Sequence, residues 1–101
     1  MNWLWNCSGA CFGYLEGDDL WTYSGRHVGR RMGREIYDTR GNYLGEVVNL
    51  NRLMTNMEKK QTWRGNTFTP APTRSPVARQ PSGEEQPTYA GHQDFPDAAS
   101  F

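Results

Sequence analysis

A sixteen-residue repeat organises the first two thirds of the sequence. Each unit starts with an aliphatic–aromatic pair, has a glycine four residues after the aromatic residue, and has a second glycine four residues further on. Three consecutive units follow this pattern, over residues 4–19, 20–35 and 36–51. A fixed period of this kind is typical of folds in which one supersecondary unit packs against copies of itself. The unit therefore sets the architecture.

Each unit has the pattern of a β-hairpin, with two short apolar runs separated by a polar loop that ends in glycine. In the third unit, a three-residue loop at 39–41 places Tyr37 opposite Tyr43 and Ile36 opposite Leu44. The loop glycine suits the left-handed residue that closes a type I turn with a bulge. The pairs expected in the first two units are Leu4 with Phe12, Trp5 with Cys11, Leu20 with Val28 and Trp21 with His27.

The two faces of such a hairpin differ in character, because successive side chains of a strand alternate between faces. The aliphatic residues share one face, which we expect to form the core. The aromatic residues share the other face, which we expect to be at least partly open. The second glycine of each unit is expected to lie diagonal to the aromatic ring, so that the ring covers it. These rings and glycines are Trp5 with Gly13, Trp21 with Gly29 and Tyr37 with Gly45.

A fourth unit begins at Arg52 in degraded form. Leu53 stands in the place of the aromatic residue, and both glycines are missing. Terminal repeats are often atypical because they close an array. The sequence therefore predicts an all-β domain of four short hairpins around a pseudo-four-fold axis, over residues 1–66.

Residues 67–101 differ sharply in composition from the repeats. They carry all six prolines of the chain and few aliphatic residues. Such a segment buries too little surface to offset its ordering entropy, so we expect a disordered tail. Proline-rich segments also favour the extended polyproline II conformation, which aromatic grooves can bind. A tether or solubilising appendage is the usual role of such a tail.

The repeat resembles the small four-fold β-flower domains, in which four hairpins surround a pseudo-four-fold axis. The resemblance covers roughly residues 3–64, and the fourth unit departs from it by lacking the glycines. It implies the fold, and it implies neither an established activity nor catalytic residues. The motifs that carry it are Trp21, Gly25 and Gly29 in the second unit, Tyr37, Gly41 and Gly45 in the third, and Leu53 in the fourth.

Charge and hydropathy indicate no particular partner. Eleven basic and eleven acidic residues give a net charge of zero, which favours neither nucleic acid nor a membrane surface. No apolar run approaches the roughly 18 residues that a spanning helix needs. The first residues lack the basic region of a signal peptide. We therefore expect a cytoplasmic location.

Residues that could carry chemistry have simpler interpretations. Cys7 and Cys11, even with His27 and His92, make a poor zinc set, since structural sites use four ligands in paired short spacings. Free thiols, a disulfide and a metal pair stay open as alternatives for the two cysteines. The serines and carboxylates near the loops match ordinary turn chemistry. We expect no metal, no cofactor and no enzyme activity.

The remaining hypotheses concern binding. The first is a non-enzymatic interaction module that binds a protein, a peptide or itself through its aromatic and arginine-lined hairpins. The second is an anion-binding protein that reads nucleic acid or phospholipid headgroups through its arginine cluster. Salt separates them, because only anion binding should weaken steeply as salt rises. A solvated, salt-bridged rim would also account for the arginines. The candidate residues are Trp5, Trp21, Tyr37, His27, Arg26, Arg30, Arg31 and Arg34.

Overall fold

The repeat units fold as antiparallel hairpins, as their alternating pattern predicts. The computed structural model describes residues 1–101. No helix in it is long and apolar enough to cross a membrane. The strands are β1 (Asn2–Asn6), β2 (Cys11–Glu16), β3 (Asp19–Thr22), β4 (His27–Met32), β5 (Glu35–Tyr37), β6 (Tyr43–Val48), β7 (Arg52–Asn56) and β8 (His92–Asp94), with helix α1 (Met57–Thr62) after β7 and a 3₁₀ helix at Ala98–Ser100.

The strands form one sheet in chain order that closes on itself. Neighbours from β1 to β8 pair antiparallel, and β1 also pairs with β7. This closing pair is parallel, with Trp5 beside Arg52 and Asn6 beside Leu53. The parallel direction is required because a meander of seven strands brings its first and last strands together with the same orientation. The result is a closed seven-stranded barrel with β8 added on the outer side of β7.

The hairpin register agrees with the prediction at the loops and shifts by one residue beyond them. Tyr37 lies opposite Tyr43 as predicted, whereas Ile36 lies opposite Gly45 rather than Leu44. The first two hairpins show the same shift, since Leu4 lies opposite Gly13 and Leu20 opposite Gly29. The shift is a β-bulge, which leaves one residue of the second strand unpaired and bends the strand. The bulge residues are Phe12, Val28 and Leu44.

This bulge changes the role of the second glycine in each unit. A Cβ at Gly13 would overlap the backbone of Trp21, the first aromatic residue of the next hairpin. A Cβ at Gly29 would lie 2.8 Å from Cγ2 of Ile36, again in the next hairpin. The predicted aromatic cover over these glycines is therefore wrong. The glycines allow adjacent hairpins to approach closely, which is a packing requirement rather than a surface one.

The core follows the predicted aliphatic face. The residues that the bulge leaves unpaired still point into the core, as predicted, together with the first-strand residues beside them. The first-strand residues of the core are Leu4, Leu20, Ile36 and Leu53, and the others are Phe12, Leu15, Val28, Phe95 and Ala98, with Leu44 and Phe101 partly buried against them.

The fourth unit departs from the other three in its turn and in its second strand. The turn before β7 has an extra residue, and Asn49 and Leu50 adopt positive φ values of 48° and 71°. The added residue moves Leu53 into the aliphatic position, opposite Val47, so its predicted place at the aromatic position is wrong. Helix α1 then replaces the hairpin loop, and the side chain of Asn56 caps its first amides.

The last residues of the chain complete this fourth unit. β8 pairs with β7, placing Asp94 opposite Met54. The next residue, Phe95, enters the core and packs edge-to-face on Phe12 with ring centroids 5.2 Å apart. Burying a phenylalanine contributes about 1.5–3 kcal/mol. The expected disorder of the tail is not confirmed, because residues far beyond the repeats supply a strand and a core side chain.

Candidate functional site

The three hairpin loops present a repeated acceptor on one rim of the barrel. Gly9, Gly25 and Gly41 have φ values of 96°, 97° and 82°, and each amide closes its own loop at 3.0 Å. Only glycine adopts such angles without strain. The carbonyl oxygen of each glycine is left free to accept a hydrogen bond from outside the loop. We call these three loops, with the rings of Trp5, Trp21 and Tyr37, the tip surface.

Residues 65–89, the tail segment, bind the tip surface in reverse order along the chain. Successive contacts are nine residues apart along the tail segment, whereas the loops that they reach are sixteen residues apart and follow in reverse order. Each loop accepts two backbone hydrogen bonds from the segment. This regular pairing holds the tail segment against the three loops. The bonds are Gly65 to Gly41 (2.7 Å), Arg74 to Gly25 (2.8 Å) and Gly83 to Gly9 (2.8 Å), then Phe68 to Thr39 (3.1 Å), Val77 to Tyr23 (2.9 Å) and Gln86 to Cys7 (2.8 Å).

The donors in the tail segment are three residues apart from Gly65 to Val77 and again from Gly83 to Gln86, and Gln80 between them makes no such bond. Ala71 lies between the tail residues that bond to the third loop and those that bond to the second. Its amide donates to Nδ1 of His27 at 2.9 Å. A period of three is that of the polyproline II helix, which leaves its own backbone groups free to bond elsewhere. None of the prolines, which lack an amide donor, lies at one of these inward positions. The prolines therefore do not remove any of the amides that bond to the barrel.

The loop glycines are required by the tail as well as by the turn. A Cβ on Gly9 would overlap the carbonyl of Gly83, and one on Gly41 would overlap the carbonyl of Gly65. The tail backbone thus lies in direct contact with bare loop backbone. A side chain at these positions would separate the two segments.

The aromatic face is covered by the tail segment, so the expected opening of that face is wrong. Arg74 lies over the ring of Trp21, with Cζ 3.7 Å from the ring centroid. Nε1 of Trp5 donates to the carbonyl oxygen of Pro81 at 3.0 Å. Trp21 and Tyr37 are buried, and Trp5 is half-buried. The rings that were predicted to bind a partner do contact a peptide, which is the chain's own.

His27 lies at the centre of a ladder of stacked groups. Its ring stacks on Trp21 with centroids 5.0 Å apart and planes 20° from parallel. Phe68 of the tail packs against it at 5.1 Å, and the guanidinium of Arg30 lies 4.6 Å from the Phe68 centroid. Because Nδ1 accepts from Ala71, the proton of the neutral ring is on Nε2, 3.0 Å from Oδ1 of Asp19. His27 therefore connects the barrel to the tail.

The four predicted arginines do not form one basic surface. Each contacts a different acceptor, and three of the acceptors are carboxylates, so the charge available to a phosphate is reduced. The pairs are Arg26 with the Phe101 carbonyl oxygen (2.7 Å), Arg30 with Asp19 (3.3 Å), Arg31 with Asp18 (3.1 Å) and Arg34 with Glu46 (3.5 Å).

A second polar cluster centres on Glu46, whose side chain is buried. Its Oε1 accepts from the Tyr43 hydroxyl at 2.7 Å and from Lys59 Nζ at 3.0 Å. Lys59 also donates to Glu35 at 3.3 Å. These bonds join helix α1 to the third hairpin. The cluster lies at a cavity of about 600 Å³ that His92 and Tyr89 of the tail also line.

The ionisation of this cluster follows from its burial and its hydrogen bonds. Burial opposes the charge on Glu46, but the bonds from Tyr43 and Lys59 outweigh it and lower the pKa of Glu46. Burial raises the pKa of Tyr43, and the neighbouring Glu46 carboxylate adds to the effect. Burial would lower the pKa of Lys59, but its bonds to Glu46 and Glu35 raise it. Each donor and acceptor is used within the protein, which indicates a structural network rather than a reactive one.

The cysteines and acidic residues offer no metal centre. Cys7 and Cys11 are buried free thiols, and burial raises the pKa of Cys7. No group of three or more His, Cys, Asp or Glu side chains is placed to hold a metal ion.

Several residues that contact the tip surface or His27 beside it were missed by sequence reasoning because they lie in the tail. Ala71, Arg74 and Gly83 contact the loops, and buried Arg52 clamps the tail by donating to the carbonyl oxygen of Glu84 at 2.6 Å. The prolines of residues 65–89 all avoid every third position counted from Gly65, a pattern that is compatible with regular bonding of the segment but does not predict it.

Comparison with known proteins places the chain in a family and no further. No curated protein and no solved structure matches it at a significant level. The family model described as the 4-fold beta flower protein matches residues 1–92, which include the three hairpins, α1 and the whole tail segment. The chain belongs to the 4-fold beta flower protein family.

Proposed function

We propose that this protein is a non-enzymatic interaction module whose tip surface binds an extended, proline-containing peptide. The observation that supports this function is the docking of residues 65–89, which donate a backbone bond at intervals of three residues to acceptors on successive hairpins. In this proposal the hairpins repeat four-fold around an axis, and each of the first three provides one docking step. The tail is the ligand that occupies them in cis.

The proposed mechanism of recognition uses the peptide backbone for affinity and side chains for specificity. Loop carbonyls accept peptide amides, and a pre-extended polyproline II chain loses little entropy when it is bound. The rings of Trp5, Trp21 and Tyr37 then give flat surfaces on which a small or planar residue can lie. In the cis complex these residues are Gly83, Arg74 and Gly65.

The anion-binding alternative has less support. Arg30, Arg31 and Arg34 are each within 3.5 Å of a carboxylate. A phosphate would have to compete with these partners at each arginine. The peptide hypothesis needs no such rearrangement, because its acceptors are backbone carbonyls at the loop tips.

The test uses a full-length chain with its second docking step opened. Residues 70–78 are replaced by a glycine–serine sequence of equal length, which is flexible and lacks the native side chains. The peptide TPAPTRSPVAR, which has the sequence of residues 69–79, is then titrated against this opened chain. We expect NMR shift changes at Gly25, Tyr23 and His27 that saturate as the peptide is added.

Two proline variants of the peptide form a matched pair. A proline at the position of Val77 removes the amide that donates to Tyr23, whereas one at the position of Ala78 removes an amide that makes no such bond. We expect the first substitution to abolish saturable binding and the second to preserve it. Absence of binding by the parent peptide, or equal binding by both variants, would refute the proposed function. Saturable binding of a short oligonucleotide to the opened chain that falls steeply with salt would favour the anion hypothesis instead.

A further inference from the structure

The three docking steps are not equivalent in charge. At the third hairpin Gly65 of the tail lies against the Tyr37 ring, and at the first Gly83 of the tail lies against the barrel's own Arg52 guanidinium and Trp5. At the second, a guanidinium occupies the corresponding place over Trp21. The repeat differs at the position that can pair with a cation. Glu16 follows the buried residues of β2, and the equivalent residues sixteen and thirty-two positions later are uncharged, Met32 and Val48.

Arg74 is held by three contacts, two to its guanidinium and one to its backbone. The Trp21 ring lies 3.7 Å below Cζ, Oε1 of Glu16 accepts from Nη2 at 2.8 Å, and the backbone amide is fixed on Gly25 at 2.8 Å. Hydrogen bonds to Glu16 and then Tyr14 raise the pKa of Arg74. The same contact lowers the pKa of Glu16. Charge and geometry therefore both favour a cation at this place.

The platform under the cation is packed against the barrel. Trp21 is almost completely buried, and His27 stacks on it with centroids 5.0 Å apart. An aromatic face that is fixed before binding loses no side-chain entropy when a guanidinium stacks on it. Arginine suits such a place better than lysine, since its planar group can stack and still donate in its own plane to a carboxylate.

The peptide around the arginine has a definite form. Pro72 and Pro76 lie two residues before and after Arg74, at positions that donate no backbone bond to the loops. The donors Ala71, Arg74 and Val77 fall between and beside them at intervals of three. The prolines preset the extended backbone, and the arginine between them points to Trp21.

We propose that the tip of the second hairpin is an arginine-selective binding site for peptides of the form Pro-x-Arg-x-Pro, built from Trp21, Glu16 and the Gly25 carbonyl. The inference rests on the proposed function and adds the residue that the site reads. Residues 72–76 are its occupant in cis, and a peptide of the same form from a partner protein binds when that segment is displaced.

The experiment compares three peptides on the opened chain described above. The parent TPAPTRSPVAR is set against versions with lysine or with alanine at the position of Arg74. We expect the alanine peptide to bind about tenfold more weakly, from the loss of stacking and of one ion pair. The lysine peptide should fall between them. On an opened chain that also carries Glu16→Gln, the preference for arginine over alanine should shrink by several-fold.

The outcomes separate this inference from the function on which it rests. Equal affinities for the three peptides would overturn the arginine selectivity and leave peptide binding intact. Absence of binding by all three would overturn both. If the opened chain does not fold, a double-mutant cycle in the intact chain replaces it, with Glu16→Gln, Arg74→Gln and both together, read out as hydrogen exchange of the Val77 amide. We expect the double variant to lose no more protection than the worse single variant, and fully additive losses would overturn the inference.

Discussion

The carbonyl oxygen of Arg74 occupies the place that a Cβ atom would take on Gly25. The amide of the same arginine donates to the Gly25 carbonyl oxygen at 2.8 Å. Two backbone segments from opposite halves of the chain thus touch without a side chain between them. Gly25 meets a local requirement, a φ of 97°, and a long-range one, the docking of the tail.

Substituting this glycine should release the tail locally. In Gly25→Ala, the left-handed angle is strained and the added methyl group overlaps the Arg74 carbonyl, so the Arg74 and Val77 amides should lose at least tenfold in hydrogen-exchange protection. Gly17→Ala is the matched control, because Gly17 has a φ of 61° but nothing lies within 4 Å of a Cβ there. It should cost about 1–2 kcal/mol of stability and leave those two amides protected. Equal loss of protection in both variants would show that strain alone, and not the tail contact, explains the glycine.

The sequence predicted the hairpins because the information that specifies them is local. Loop length, a glycine at the turn and alternation determine the pairing of Tyr37 with Tyr43. The bulge beyond the loop was not predictable in the same way, since it depends on Gly13 packing against the backbone of Trp21 in the next hairpin. A contact between units leaves no trace in the period of a single unit.

The disorder expected of the tail was not confirmed, and composition is a poor guide there because it measures only what side chains can bury. Residues 65–89 gain order mainly through backbone donors that bond to loop carbonyls. The candidate site was accordingly half predicted. Trp21 and His27 were named from the repeat, but Ala71 and Arg74, which bind against them, lay in the segment expected to be disordered.

Phe95 should be among the most important residues for stability despite its distance from the repeats in sequence. Its side chain is buried in the core against Phe12, so Phe95→Ala should lower the free energy of unfolding by about 3–5 kcal/mol. Phe68→Ala removes a ring that is only partly buried on the tail and should cost clearly less. Urea unfolding of the two variants measures the difference. Similar losses would mean that Phe95 is not part of the cooperative core.

A chain ending at Asn66 tests whether the predicted domain 1–66 is self-sufficient. This fragment lacks β8, so β7 would keep an unpaired outer edge, and it lacks Phe95, so the core would have a cavity. We expect circular dichroism to show no cooperative thermal transition, whereas the full chain shows one. A transition at the temperature of the full chain would restore the view of the tail as an appendage.

Glu46 should make stability dependent on pH in the acid range. Its pKa is lowered in the folded state by Tyr43 and Lys59 against the effect of burial, so the unfolded chain binds the proton more readily. The stabilisation is therefore fully present above the unfolded value, about 4.3, and is lost as the pH falls through the lower folded value. Urea unfolding between about pH 3 and pH 7 should show this decline in the native protein.

Glu46→Gln should be less stable at neutral pH by about 1–3 kcal/mol and have a flatter profile of stability against pH. Glu58→Gln, at an exposed position of α1, should keep the native slope. A Glu46→Gln profile parallel to the native one would mean that the acid sensitivity arises elsewhere.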